Sequence, residues 1–232
     1  MTPLVKFGLP TILSIVLLGY FLWPNNQNST VVSNIQPREA ISEAGINIIA
    51  FGDSLTAGYG LPASEAYPAQ LEAALLAKNY SVKVINSGVS GETSRGNLER
   101  AQFIRKQNPD IVILDIGDND ALRRLPIEET EKNISDTISI LKSGINPPVV
   151  ILLGMQAPIN VGLSYKQTFD SLYKDLADKH QILLVPFITT EVFLKNGNRL
   201  PDGIRLSKQG YKDVIDLYLL PTLTEVLEKI SL

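Results

Sequence analysis

The sequence predicts a single α/β domain, doubly wound in three layers around a mostly parallel, five-stranded sheet. Two observations support this prediction. Five short apolar runs rich in β-branched residues recur beyond residue 45, and amphipathic segments with helical periodicity separate them. The chain has 232 residues, which suits one such domain with a short N-terminal extra and is too short for two.

The predicted strands are mostly apolar, which is typical of parallel strands that helices cover on both faces. They are Ile46–Phe51, Val82–Asn86, Ile111–Ile116, Val149–Leu153 and Ile182–Val185. The predicted helices between and after them are Tyr67–Lys78, Ser94–Gln107, Ile127–Lys142, Tyr165–Lys179 and a last one from about Ser207 to Lys229. In such folds ligands bind at the carboxyl ends of the strands, so functional residues are expected just after strands.

The N-terminal residues indicate targeting sequence rather than fold. Lys6 precedes an uncharged, mostly apolar run from Phe7 to Trp23, which predicts a membrane anchor or signal segment over residues 1–24. No small-x-small cleavage site follows, and Tyr20 and Trp23 lie where interfacial aromatic anchors are found, which favours an uncleaved anchor. Residues 25–45 are rich in Asn, Ser and Gln and are predicted to be a linker, so that the domain covers 46–232.

Composition excludes several function classes. Lys and Arg number 21 against 24 for Asp and Glu, so there is no basic surplus for a nucleic-acid partner. The chain has no cysteine, which rules out disulfides, thiolate zinc sites and a cysteine nucleophile.

Three polar segments follow the first three predicted strands. The turn Phe51–Gly60 presents Ser54 as a nucleophile candidate, although an Asp/Ser pair at such a place also serves simply as a helix cap. The segments Asn86–Ser94 and Asp115–Asp120 follow the second and third strands. All three therefore lie at the edge of the sheet where a site is expected.

These segments resemble a known family. GDSLTAGYG, NSGVSGETS, IGDND and PDGI are similar, in order and spacing, to the first, second, third and fifth sequence blocks of the SGNH (GDSL-type) hydrolases. Gly154–Gly162, followed by Phe169–Tyr173, resembles the loop and helix after the fourth strand in the bacterial arylesterase and thioesterase/lysophospholipase branch. The whole resemblance covers about Ile46 to Leu220. It implies a flavodoxin-like fold, a small acyl-ester, thioester or lysolipid-like substrate and no cofactor or metal. With the anchor, it implies a bacterial cell envelope protein whose domain lies on the periplasmic or extracellular side, or is secreted if the segment is cleaved.

The resemblance also implies residue roles. In the family the serine attacks an acyl carbonyl, and its own N–H, a glycine N–H and an asparagine amide stabilise the oxyanion. These groups match Ser54, Gly91 and Asn119 of this chain, although Gly91 can also be explained by a tight turn and Asn119 by a cap. Asn160, in the loop after the fourth strand, is expected to contact substrate.

The fifth block departs from the family pattern Asp-x-x-His, because Asp202 is followed by Arg205 where the histidine is expected. Arginine stays protonated and has no lone pair, so Arg205 cannot serve as the general base and is assigned to substrate binding. His180, the single histidine, precedes the fifth strand and is expected at the opposite edge from Ser54.

A second departure is Asp118, where the family has a small residue, and it too is expected to line the substrate site. A carboxylate with a raised pKa is one substitute for the missing base, with Asp118, Asp202 and Glu92 as candidates. A calcium loop beginning at Asp118 is excluded, because its fifth and sixth positions would be Leu122 and Arg123.

Three functions remain open at this point. The first is an ester or thioester hydrolase weakened by the missing histidine. The second is a catalytically inactive member that binds a ligand, with Arg205 as a fixed cation for an acidic group. The third is an accessory protein of the cell envelope that uses the fold only as a surface.

Overall fold

The computed structural model describes residues 25–37, 45–203 and 205–231, with a five-stranded sheet at their centre. The strands are β1 Ile46–Gly52, β2 Val82–Gly88, β3 Ile111–Leu114, β4 Val149–Gly154 and β5 Leu183–Pro186. Their order is β2-β1-β3-β4-β5, and every neighbouring pair is parallel. The predicted α/β class and the parallel five-stranded sheet are therefore confirmed.

Ten helices are described. They are α1 Asn25–Ser33, α2 Ser54–Ala57, α3 Tyr67–Ala77, α4 Ser94–Lys106, α5 Asp118–Leu122, α6 Ile127–Leu141, α7 Leu163–His180, α8 Thr190–Leu194, α9 Lys208–Val214 and α10 Leu220–Ile230. A π-helical turn, Ile215–Leu219, joins α9 to α10, where one continuous helix was predicted. Pro221 explains it, because a proline has no N–H with which to continue the regular hydrogen bonding of the helix.

The helices form two layers around the sheet. Crossovers between parallel strands are right-handed, so the direction of each crossover decides which face its helix covers. Helix α3 leads from β1 to β2 and covers one face. Helices α4, α6 and α7 belong to crossovers in the opposite direction and cover the other face. Contacts agree, because α4 packs on α6 and α6 on α7, whereas α3 packs on α9 and α10. The strand order reverses beside β1, so the carboxyl ends of β1 and β3 are the expected place for a ligand.

The first part of the predicted linker is helical and packed, which corrects the prediction made for residues 25–45. Helix α1 contacts β5 and α10, and Val32 is 1% exposed. The Asn28 side chain bonds the edge strand in both directions, donating to the Leu184 carbonyl over 2.8 Å and accepting the Leu184 N–H over 3.0 Å. Asn28 thus satisfies backbone groups that an edge strand leaves unpaired.

The predicted anchor, residues 1–24, lies outside the described residues. Among the helices that are described, none is long and apolar enough to cross a bilayer.

Candidate active site

Ser54 lies at the carboxyl end of β1, as the first residue of α2. Asp53 caps this short helix, its Oδ1 accepting the Leu55 N–H over 2.9 Å. Gly52 is required for the turn, since a Cβ there would lie 2.3 Å from Oγ1 of Thr56 and 2.5 Å from the Asp115 carbonyl oxygen. Ser54 is partly exposed, and no described residue hydrogen-bonds to its Oγ, so the hydroxyl is accessible to a ligand.

Asn119 is brought next to this serine by a hydrogen bond to the neighbouring aspartate. It lies in the first turn of α5, after β3, and its Nδ2 donates to Asp53 Oδ2 over 3.0 Å. The residue is 8% exposed. A carboxamide nitrogen carries two hydrogens, so one remains to donate to a ligand. Ser54 and Asn119, predicted from separate sequence blocks, thus meet through Asp53.

Gly91 lies in the turn between β2 and α4 with φ +83°, a backbone conformation that favours glycine. Its carbonyl accepts a hydrogen bond from Nη2 of Arg123 over 2.9 Å, which ties this turn to the end of α5. No described acceptor takes the Gly91 N–H. This donor is therefore available to a ligand, as the oxyanion role requires.

Asp202 and Arg205 are bonded to each other. Arg205 Nη1 donates to Asp202 Oδ2 over 2.6 Å, and the Arg205 N–H donates to Oδ1 over 3.1 Å. The guanidinium carbon lies 4.5 Å from the centre of the Tyr59 ring, so the side chain extends toward the turn that carries Ser54. The two positions of the family's Asp–His pair are thus occupied by an ion pair in which Arg205 has no lone pair and both oxygens of Asp202 already accept hydrogen bonds from Arg205.

Asp118, the other departure from the family pattern, is the partly buried first residue of α5. Burial raises the pKa of this carboxyl to about 6, the positive charge of Arg205 opposes the rise, and Asp120 adds to it. No described residue hydrogen-bonds to the carboxylate. The two departures therefore place opposite charges within electrostatic reach of each other.

Two buried carboxyl groups lie beneath the site. Asp115 accepts a hydrogen bond from Thr56 Oγ1 over 2.6 Å, and burial raises its pKa to about 7. Burial, followed by the charges of Asp115 and Asp118, raises the pKa of Asp53 to about 9. The floor of the site therefore retains protons that exposed aspartates would have lost.

The two remaining residues predicted for the site are Glu92, whose carboxylate is bound by other side chains, and Asn160, which is exposed to solvent. Both oxygens of Glu92 are bound, Oε1 by Nε of Arg100 over 2.8 Å and Oε2 by Arg100 Nη2 and by Asn97 over 2.9 Å. Asn160 is exposed, and its carbonyl accepts from Nη2 of Arg124 over 2.5 Å. Glu92 is thus unsuited to act as a base, and no hydrogen bond from a described residue holds the Asn160 side chain in the site.

His180 is engaged away from the serine. It is the last residue of α7, before β5, and its Nε2 lies 2.8 Å from the Ser135 hydroxyl of α6. This contact agrees with the expectation that the histidine lies at the amino edge of the sheet. The described part of the chain contains no cluster of three or more His, Cys, Asp or Glu residues able to hold a metal ion.

Asp120 is a site-supporting residue that the sequence reasoning missed. Its carboxylate accepts from the Ser94 N–H over 2.8 Å, the Ser94 hydroxyl over 2.5 Å and the Thr130 hydroxyl over 3.2 Å. It therefore joins α5, which carries Asn119, to the start of α4. The only signal in the sequence is its place inside the motif IGDND.

Fold and site together define a serine-hydrolase type of α/β domain. Residues 50–212 match the model of the GDSL-like lipase/acylhydrolase family, and the chain belongs to that family. It is 36% identical over 167 residues to an arylesterase of Vibrio mimicus, and the matched residues make up 71% of this chain and 82% of the relative. It is 32% identical over 174 residues to thioesterase 1/protease 1/lysophospholipase L1 of Escherichia coli strain K12, covering 75% and 81%.

Solved structures show the same fold. The psychrotrophic esterase EstA from Pseudoalteromonas sp., inhibited by monoethylphosphonate, matches with a TM-score of 0.72 and 26% identity, covering 78% of this chain and 98% of its own. The SGNH-hydrolase family esterase AlinE4 matches with a TM-score of 0.65 and 34% identity, covering 82% and 98%. The family resemblance drawn from the sequence blocks is thereby confirmed, and the chain is an ester-hydrolase-like protein.

Proposed function

We propose that this chain hydrolyses acyl esters or thioesters through Ser54, at a rate far below that of an enzyme with a complete Asp–His pair. The observation that carries the proposal is the meeting of Ser54 and Asn119 through the side chain of Asp53 at the carboxyl ends of β1 and β3. Relatives named as an arylesterase and a thioesterase indicate the bond class.

The proposed reaction begins with attack of Ser54 Oγ on the acyl carbonyl carbon. The electron pair of the carbonyl moves to its oxygen, which is stabilised by the N–H groups of Ser54 and Gly91 and by the second amide hydrogen of Asn119. Collapse expels an alkoxide or thiolate, which takes up the proton that Ser54 has released to solvent and leaves as an alcohol or thiol. Water then attacks the acyl-serine, which releases the acid and restores the serine hydroxyl. No metal or organic cofactor is needed for these steps.

The weak step is removal of the serine proton. Arg205 has no lone pair, and Asp202 is held by it. Loss of one member of a catalytic triad typically leaves about 10³–10⁴-fold acceleration over water, from the oxyanion donors and binding. A slow enzyme is therefore the expected result.

The second candidate is a ligand-binding or accessory envelope protein without turnover, and the Asp202–Arg205 ion pair favours it. The pairing changes the class of ligand expected, because Arg205 already faces Asp202 and the charge of Asp118. An acidic ligand would have to displace an existing carboxylate. A neutral acyl group on the oxyanion donors is the better fit.

The test uses the full chain and a short-chain aryl ester. Ser54→Ala is the control for turnover, and a phosphonate ester is the probe for the nucleophile, since a phosphonate inhibits the related EstA. Slow hydrolysis that Ser54→Ala abolishes, with phosphonylation of Ser54 seen by mass spectrometry, would support the hydrolase. If the chain shows no turnover and no phosphonylation, the hydrolase proposal is overturned and the binding protein remains.

We further propose that residues 1–24 attach the domain to a bacterial membrane on its periplasmic or extracellular side. The apolar run from Phe7 to Trp23 supports this location. Alkaline extraction of membranes from cells making the full chain would release the protein if no spanning anchor exists.

A further inference from the structure

The turn that presents the Gly91 N–H has little packing of its own. Val89, Ser90 and Gly91 are exposed, and a backbone hydrogen bond from the Glu92 N–H to the Val89 carbonyl, 3.2 Å long, closes the turn. The Val89 N–H donates to the Gly52 carbonyl over 3.0 Å, which fixes the start of the turn on β1. Gly91 lies two residues further on. Since exposed backbone with few packing contacts opens easily, side-chain contacts are needed to fix the direction of the Gly91 N–H.

Arg100, on helix α4, binds the ends of both strands beside this turn. Its Nη1 donates to the carbonyl of Ser87, in β2, over 3.1 Å. Its Nη2 donates to the carbonyl of Gly52, the last residue of β1, over 3.3 Å. The guanidinium carbon lies 4.8 Å from the centre of the Phe51 ring, so the group is also stacked against β1. Arg100 is therefore bonded to the backbone that leads directly into Ser54.

The same guanidinium binds the residue next to Gly91. Nε of Arg100 donates to Glu92 Oε1 over 2.8 Å, and Nη2 donates to Oε2, which also accepts from Nδ2 of Asn97 over 2.9 Å. The Arg100 side chain is 26% exposed and that of Glu92 is 9% exposed. This two-point contact is thus sheltered, unlike an exposed ion pair, whose geometry is loosened by side-chain motion and screened by water.

Helix α4 accommodates the Glu92 side chain at close range. Gly96 lies in the first turn of this helix, where a Cβ would come within 2.6 Å of Glu92 Cγ. Glycine is unfavourable inside a helix relative to alanine, and the close approach of Glu92 accounts for its presence here. A larger side chain at position 96 would push Glu92 away from Arg100, and the neighbouring Gly91 with it.

We propose that Arg100 is a positioning residue, which sets the separation between Ser54 and the Gly91 N–H. It acts through backbone carbonyls and Glu92, whereas Arg123 holds the same turn on α5 through the Gly91 carbonyl. An oxyanion donor must lie about 2.7–3.1 Å from the oxygen that it stabilises, and a displacement of about 1 Å can slow a reaction about 100-fold. The inference rests on the proposed hydrolase function and extends it to a residue outside the reacting groups.

The full chain with Arg100→Gln tests this role, and Arg105→Gln is the matched control. Arg105 lies on the same helix and also donates to two backbone carbonyls, that of Ser143 over 2.9 Å and that of Ile145 over 3.1 Å. Both carbonyls precede β4, at the amino edge of the sheet. Each variant loses bonds from one helix to backbone carbonyls, so a general loss of stability would affect the two alike.

Two measurements separate positioning from stability. Reaction of Ser54 with a phosphonate ester gives a limiting rate and a half-saturating concentration. The heteronuclear NOE of the Gly91 amide, measured by NMR, reports the order of the turn without any reaction. We expect Arg100→Gln to lower the limiting rate by about 10- to 100-fold, to leave the half-saturating concentration nearly unchanged and to make the Gly91 amide more mobile. Arg105→Gln should change none of these.

Two further variants separate bridging from charge. Arg100→Lys keeps the positive charge but lacks the planar fork that binds the carbonyls and the carboxylate together, so it should remain slow. Arg100→Gln combined with Glu92→Gln removes the carboxylate that the single variant leaves unpaired, so a fold weakened by that charge is restored. Because the two residues act as a unit, the double variant should be no slower than Arg100→Gln.

The outcomes distinguish this proposal from the hydrolase proposal. An unchanged limiting rate in Arg100→Gln, an equal loss in Arg105→Gln or a restored rate in Arg100→Lys would overturn the role of Arg100. If the wild type does not react with the phosphonate, the hydrolase proposal fails by itself, and the NMR measurement then decides. A Gly91 amide that is as rigid in Arg100→Gln as in the wild type would overturn the positioning role.

Discussion

Asp115 should make the domain less stable as the pH rises through neutrality. The residue is fully buried beneath the site, and its Oδ1 accepts no hydrogen bond from the described residues. Burial raises its pKa from 3.8 to about 7, and the hydrogen bond from Thr56 opposes the rise. The folded chain therefore holds a proton over a pH range in which the unfolded chain has already released it.

The sign and size follow from proton linkage. A carboxyl whose pKa is raised by folding contributes stability that is complete below its unfolded pKa, 3.8, and lost as the pH rises through about 7. One extra bound proton corresponds to about 1.4 kcal/mol per pH unit. Between pH 5 and 7 the free energy of unfolding should fall by roughly 2–3 kcal/mol through this group, out of a typical total of about 5–15 kcal/mol.

Urea denaturation of the full chain followed by circular dichroism at pH 5, 6 and 7 measures this slope. Asp115→Asn keeps the side-chain shape and removes the titration, so its slope should be flatter, whatever its absolute stability. Asp53, whose pKa burial raises to about 9, and Asp118 add to the wild-type slope, and His180, whose pKa burial lowers, opposes it. All three are present in the variant, and loss of the Asp115 charge lowers the pKa of Asp53, which flattens the slope further. Parallel pH profiles for wild type and variant would refute the reasoning.

Three further changes test the site and the fold. Arg205→His supplies a general base, and such a base typically contributes about 10²–10⁴-fold to the rate. The kcat/KM for an aryl ester should therefore rise at least about 100-fold, and further when Asp118→Gly is added. An unchanged rate would show that the missing histidine is not what limits the site. Asn119→Ala should slow phosphonylation of the serine by about 100-fold, through loss of an oxyanion donor, and an undiminished labelling rate would exclude that role. Asn28→Ala removes two hydrogen bonds to Leu184 and should lower the free energy of unfolding by about 1–3 kcal/mol. Amide exchange at Leu184, measured by NMR, should quicken, and unaltered protection would mean that α1 does not hold this strand.

The sheet could be predicted from the sequence because its strands are short, mostly apolar runs rich in β-branched residues, and helical patterns separate them. The places of Ser54 and Asn119 beyond the carboxyl ends of β1 and β3 could be predicted for the same reason, since each follows such a run closely. The hydrogen bond from Asn119 to Asp53 was not foreseeable, because no local pattern links residues that follow two different strands. Short helices such as α5 also escaped prediction, because five residues show no periodicity.

The incorrect predictions for α1 and Arg205 have one physical cause, because composition does not show which side chains pair with each other. The polar composition of α1 predicts a linker, yet one asparagine side chain and the buried Val32 are enough to dock it on β5. Arg205 was considered a free cation for an acidic ligand, yet Asp202, three residues earlier, neutralises it. Both contacts depend on side-chain direction, which the sequence pattern does not give.

The two departures from the family pattern are best understood as one change. Arg205 alone would add a permanent positive charge beside the oxyanion donors, and Asp118 alone would add a negative charge that opposes the developing oxyanion. Together they offset each other, since the charge of Arg205 acts against the rise in the pKa of Asp118. The ion pair with Asp202, one-third exposed, adds little stability of its own. We therefore predict that the two substitutions together leave the donors around Ser54 able to bind an acyl group while no histidine is present to take the serine proton, so that binding and turnover should be separable when each is measured.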